Sequence, residues 1–120
     1  MQSGYCPIDW DLFMEINGSG EAGRMVIDAF LEESPIIMGK IVEAVRNRKP
    51  METRMWAHKL KGSTLFVAAN RLARNAHCLE RVAEKGNIAM IEKVMKHVYD
   101  DYRSLLEYLL NETDYKMTTV

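Results

Sequence analysis

A chain of 120 residues has room for one domain, and 48% hydrophobic residues are enough to fill a core, which excludes a disordered chain. Sixteen basic against seventeen acidic residues leave a formal charge of −1, so composition gives no cationic field for nucleic acid or an anionic membrane surface. The two cysteines, Cys6 and Cys78, are too far apart for metal-ligand spacing and too few for a disulfide scaffold, which fits a reducing, cytoplasmic setting.

The opening MQSGYCPIDW has no continuous apolar stretch and does not read as a signal peptide. No later run approaches the ~20 apolar residues needed to cross a bilayer. Strand signals are nearly absent, because apolar residues recur at three and four rather than alternating. A short helix is predicted over 9–16, with Trp10 holding it to the body, and Asn17-Gly18-Ser19-Gly20 reads as a loop. A second helix follows over 22–33. Ser34-Pro35 then has the form of an N-cap with proline at the first helical position, which starts a helix over 35–48.

Lys49-Pro50 ends that helix and opens the next, over 51–68. A softer boundary at Asn70, resting on its capping propensity, gives a helix over 71–85. Gly86-Asn87 divides it from the last helix, over 88–112, with Asn87 as the cap. There Ile88, Ile91, Met95, Val98, Tyr102, Leu105 and Leu109 form one long apolar stripe that must lie against other helices. The final eight residues, to Val120, are expected to fray. Short connections favour antiparallel neighbours. The pattern therefore predicts an all-α single domain over 1–120: an antiparallel up-down four-helix bundle with additional short N-terminal helices covering one end. Its charged outer faces point to a monomer.

On a helical wheel, residues 51–68 separate into two sides. Thr53, Trp56, Ala57, Leu60, Thr64 and Val67 form a core face; Met51, Arg54, Met55, His58, Lys61, Gly62 and Leu65 form the outer one. His58 is at the centre of the outer face and is expected in water. Neutral imidazole is a nucleophile near pH 7. Lys61 is three residues on, within reach of a phosphoryl group attached to the ring. Gly62 costs the helix about 0.5–1 kcal/mol against alanine, which clearance for an approaching partner would offset. Ser63 either bonds back to the helix carbonyls or helps orient the site. Met51, Met55 and Leu65 ring the histidine with apolar groups suited to docking, and Arg54 adds positive potential. His77 and His97 show no ligand partner at i+3 or i+4, Cys78 reads as a small core residue, and Trp56 as a core anchor. No cluster suggests zinc, and no Gly-rich phosphate loop or kinase signature suggests a nucleotide site.

The stretch Ala57-His58-Lys59-Leu60-Lys61-Gly62-Ser63-Thr64 resembles the signature of the histidine-containing phosphotransfer (HPt) domain family. That signature is an exposed histidine followed by lysine at the third place, glycine at the fourth and small residues at the fifth and sixth. The likeness continues through Val67-Ala68-Ala69, Leu72, Ala73, Cys78, Leu79 and Glu80. Upstream it takes in Ile8-Asp9 and Phe30-Leu31-Glu32-Glu33-Ser34-Pro35, so it covers roughly residues 8 to 110. Ala68 departs from it, because the family generally has glycine at the tenth place after the histidine, where two helices come close. The resemblance implies a phosphocarrier rather than an enzyme. His58 would accept a phosphoryl group from the aspartyl phosphate of one receiver domain and pass it to another. No cofactor belongs to the chain itself, and Mg²⁺ is expected on the receiver. Two alternatives stay open: an unphosphorylated adaptor that binds receivers, and the phosphoacceptor fragment of a hybrid histidine kinase.

Overall fold

The computed structural model describes residues 6–118, with side chains as far as Asn111. Five helices follow one another: α1 (Trp10–Asn17), α2 (Gly20–Arg46), α3 (Pro50–Phe66), α4 (Asn70–Glu84) and α5 (Ile88–Thr118). Helices α2 to α5 form an antiparallel four-helix bundle, each packed on its chain neighbours, with α5 closing back on α2. Its core is a continuous cluster that includes Ile27, Ile41, Leu60, Leu79, Ile91 and Leu105. From the predicted stripe, Ile91, Val98, Tyr102, Leu105 and Leu109 are buried, and Ile88 and Met95 pack at its margin. The helix continues to Thr118, beyond the predicted end near 112.

The break predicted at Ser34-Pro35 does not occur. Residues 20–46 form one helix with Pro35 inside it, so the two predicted segments, 22–33 and 35–48, are a single bundle helix. An interior proline costs about 3 kcal/mol, through its missing N–H and its clash with the carbonyl four residues back. Packing outweighs that cost here. Phe30, Ile37, Met38 and Ile41 on both sides of the proline are buried in the same core, while Pro35 faces outward. Ser34 is not a cap. It is fully buried, and its hydroxyl shares a hydrogen bond of 2.9 Å with the Tyr102 phenol.

Helix α1 covers the end of the bundle where α3 turns into α4. Asp9 caps it by accepting from the Leu12 N–H, and the Asp9 N–H donates to the Ala68 carbonyl at 3.0 Å. Asn17 donates its amide to the Phe66 carbonyl, and the Trp10 indole N–H donates to the Tyr108 phenol. Trp10 also meets Phe13 edge to face. Trp10 thus anchors α1, as the sequence predicts.

Two helices end on non-glycine residues in the left-handed region, Arg48 at φ 56° and Ala68 at φ 60°. Each sits in a Schellman-type turn: the Lys49 N–H reaches the Ala44 carbonyl, and the Ala69 N–H reaches the Thr64 carbonyl. At Ala68 the family's glycine therefore has a backbone reason, since an L-residue held there costs roughly 1–2 kcal/mol. Arg48 is exposed, so glycine there removes strain without removing packing. Arg48→Gly should raise the unfolding free energy by about 0.5–1 kcal/mol in urea titration. An unchanged or lower midpoint would refute this account of the turn.

Candidate functional site

Small side chains set the site. On α3 the buried positions are Thr53, Ala57, Leu60 and Thr64; on α4 they are Leu72, Ala73, Ala76, Leu79 and Ala83. The alanines let the two helices approach closely. The threonines can be buried because their hydroxyls donate to their own helix, Thr53 to the Lys49 carbonyl and Thr64 to the Leu60 carbonyl. Glu80 and His77 on α4 are thereby brought against the outer face of α3.

The His58 side chain is 66% exposed and that of Glu80 only 13%. His58 Nδ1 lies 2.9 Å from Glu80 Oε2. An ionised carboxylate only accepts, so Nδ1 carries the proton, and in the neutral ring the lone pair is on Nε2. Lys61 Nζ lies 3.0 Å from the other oxygen, Glu80 Oε1, and 3.3 Å from His77 Nδ1. An ammonium only donates, so His77 accepts there. Burial pushes the Glu80 carboxyl up, but hydrogen bonds from Lys61 and His58, together with their charges, outweigh it and hold the group below its ordinary value.

That arrangement makes two expectations measurable. Glu80→Ala, which removes the acceptor that fixes the His58 ring, should slow attack of that ring on a small phosphoryl donor such as phosphoramidate roughly tenfold, with Glu80→Gln in between. Because the folded-state carboxyl titrates below its ordinary value of 4.5, the stability it contributes is complete above that value. It is lost as pH falls through the lowered one. Wild type should therefore lose stability on acidification below about pH 5 more steeply than Glu80→Gln. Parallel acid-unfolding curves, or equal phosphorylation rates, would contradict the role given to Glu80.

The structure brings His58 and Lys61 together with Glu80 and His77. The last two were not singled out as site residues from sequence. His77 has a carboxylate at i+3 in Glu80, but its Nδ1 stands 3.8 Å from Glu80 Oε1, beyond hydrogen-bond distance, and its contact is with Lys61. Gly62 faces open space: a Cβ placed there would have no neighbour within 4 Å. Met51, Met55 and Leu65 are exposed, as expected, and Met25 and Phe66 extend the apolar surface around half-buried Ser63. Arg54 is half-buried, with Nε enclosed and lacking a hydrogen-bond partner. His97 is exposed and apart from the cluster. Cys78, expected in the core, is exposed, and Trp56 is only half-buried, with Lys59 Nζ 5.7 Å from its ring centroid. Among the described residues no group of three or more His, Cys, Asp or Glu is arranged to hold a metal ion. None of their helices is long and apolar enough to cross a membrane.

The sequence profile of the Hpt domain matches residues 25–113, a span that holds most of α2, all of α3 and α4, and His58 with its three partners. The chain belongs to the Hpt domain family. Membership gives this Hpt domain a phosphotransfer-related role in two-component systems, with receiver domains as its class of partner. No curated protein and no solved structure matches the chain. Helix α1, which ties down the turn after α3, lies outside the matched span of the Hpt domain.

Proposed function

We propose that this Hpt domain is a phosphorelay intermediate that carries a phosphoryl group on His58 between receiver domains. The observation that supports this most is the exposed imidazole with Nδ1–H held by Glu80 at 2.9 Å, which leaves Nε2 as the nucleophile facing solvent. The Nε2 lone pair attacks phosphorus, the bond to the receiver's aspartyl oxygen breaks, and its electron pair leaves on the aspartate carboxylate. The ring becomes cationic while Nδ1 keeps its proton. The Glu80 carboxylate beside it offsets that charge without having to reorganise.

Lys61 is one helical turn away, poised to move from Glu80 toward the phosphoryl oxygens and offset a charge of about −2. Mg²⁺ belongs to the receiver's acidic cluster, and Gly62 gives that rigid pocket room to reach Nε2. The chain needs no nucleotide, because the donor is already a phosphorylated protein. Ser63, Met51, Arg54, Met55 and Leu65 form the docking surface, joined by Met25 and Phe66. The domain acts as a cytoplasmic monomer.

Incubation with a phosphorylated receiver should leave acid-labile, base-stable label on the chain. Stable binding without label would favour an adaptor instead. Alanine at both Met55 and Leu65 should slow transfer about tenfold or more with the fold intact, since both side chains are exposed and their loss costs packing only in the complex. Unchanged transfer kinetics in that double variant would remove them from the docking surface.

A further inference from the structure

Beside His58, on the side away from Met25 and Phe66, an open groove of about 530 Å³ runs between α3 and α4. Leu65 and Ala73 supply its apolar lining, Lys61, Arg74 and His77 its basic groups, and Asn70 closes it toward the turn. No carboxylate of the chain neutralises Arg74 among the described residues. Glu80, at the upper end, is occupied by His58 and Lys61. Asp101, on the far side of α4, is occupied by Asn75 and Arg71. Along this edge of the candidate site Lys61 is held by Glu80 and His77 accepts from Lys61, so Arg74 is the cation that no carboxylate among the described residues offsets.

We propose that this groove receives an acidic segment of the partner receiver, and that Arg74 is a specificity-determining residue of the complex. The proposal rests on the reading of His58 as phosphoryl acceptor and adds the partner's chemistry on the α4 side. Two features argue for that occupant. The Arg74 side of the rim is complementary to carboxylates, and the groove is continuous with the proposed docking surface through Leu65, which belongs to both, and with the phosphoryl site through Lys61. Carboxylates of the receiver pair with Arg74 and His77 while an apolar side chain covers Leu65 and Ala73. An exposed cation at such a rim acts mainly on association rate, on its salt dependence and on the choice of partner. Receivers with lysine or arginine at the facing position are rejected by repulsion from Arg74.

The test compares wild type with Arg74→Glu in two reactions. Phosphoramidate, a small donor that needs no docking surface, gives up its phosphoryl group to His58 Nε2 as its P–N bond breaks and ammonia leaves. Receiver domains from the source organism, phosphorylated with acetyl phosphate, then report docking. Arg74→Glu should react with phosphoramidate at the wild-type rate. It should accept from the wild type's fastest receiver about tenfold or more slowly at low salt, with the difference shrinking at 0.5 M salt as charges are screened. Equal transfer and equal salt dependence with every receiver would overturn the groove while phosphoramidate labelling of wild type leaves the phosphocarrier reading standing. Loss of phosphoramidate labelling in Arg74→Glu would also overturn it, because the effect would then lie in the site itself. Competition by millimolar inorganic phosphate would assign the groove to a small anion and overturn it as well. Failure of phosphoramidate and of every receiver to label wild type would bring down both readings.

Discussion

His58→Gln is expected to abolish phosphoryl labelling from any receiver and leave the bundle folded. The exposed His58 imidazole offers its Nε2 lone pair for attack, and a carboxamide nitrogen has no comparable nucleophilicity. Structurally the exchange is mild, because the ring is exposed and buries little surface. A glutamine amide can also donate to Glu80 in place of Nδ1–H, and Glu80 keeps Lys61 in any case. The urea midpoint should therefore move by no more than about 0.5 kcal/mol equivalent, as for an exposed position. Label retained in this variant would transfer the acceptor role elsewhere, with His77 the first candidate by position.

Gly62→Gln should separate stability from function in opposite directions. Interior glycine is among the poorest helix residues, and the space around Gly62 admits a side chain without contact. The isolated protein should thus gain about 0.5–1 kcal/mol. Transfer from a receiver should fall about a hundredfold or more, because the new side chain stands where the partner must approach Nε2, and a displacement of about 1 Å can cost that much in rate. Phosphoramidate should still label the variant, which separates exclusion of a protein partner from damage to the nucleophile. Transfer at the wild-type rate would remove clearance as the reason for the glycine.

Three of the bundle helices, α3, α4 and α5, were legible because each carries its own apolar spacing and its own punctuation, whereas α2 was split in two at Pro35. The clearest case is the turn at Gly86-Asn87, where Gly86 has φ 70° and Asn87 accepts from the Met90 N–H. Pro35 misled for a physical reason. The rule against interior proline describes an isolated helix, and burial on both sides of residue 35 overrides it. The parts of the site within α3 were equally readable, since i, i+3 and i, i+4 neighbours follow from helical geometry alone.

Glu80 and His77 come from a second helix, whose rotation no spacing within α3 can give. A signal did exist. The turn between α3 and α4 is short and the helices are antiparallel, so residues equally distant from it face each other. That pairs Lys61 with His77 and His58 with Glu80, as observed. Cys78 shows the converse failure. Side-chain type placed it in the core, while its rotation between Ala76 and Leu79 turns it outward.

The account turns on which imidazole nitrogen takes the phosphoryl group. The most direct measurement is a ¹H–¹⁵N–³¹P NMR spectrum of the ¹⁵N-histidine-labelled chain after reaction with phosphoramidate. Phosphorus coupled to Nε2 of His58, with a protected proton on Nδ1 that becomes unprotected in Glu80→Ala, is the predicted result. Phosphorus on Nδ1 of His58, or on the ring of His77, would contradict it.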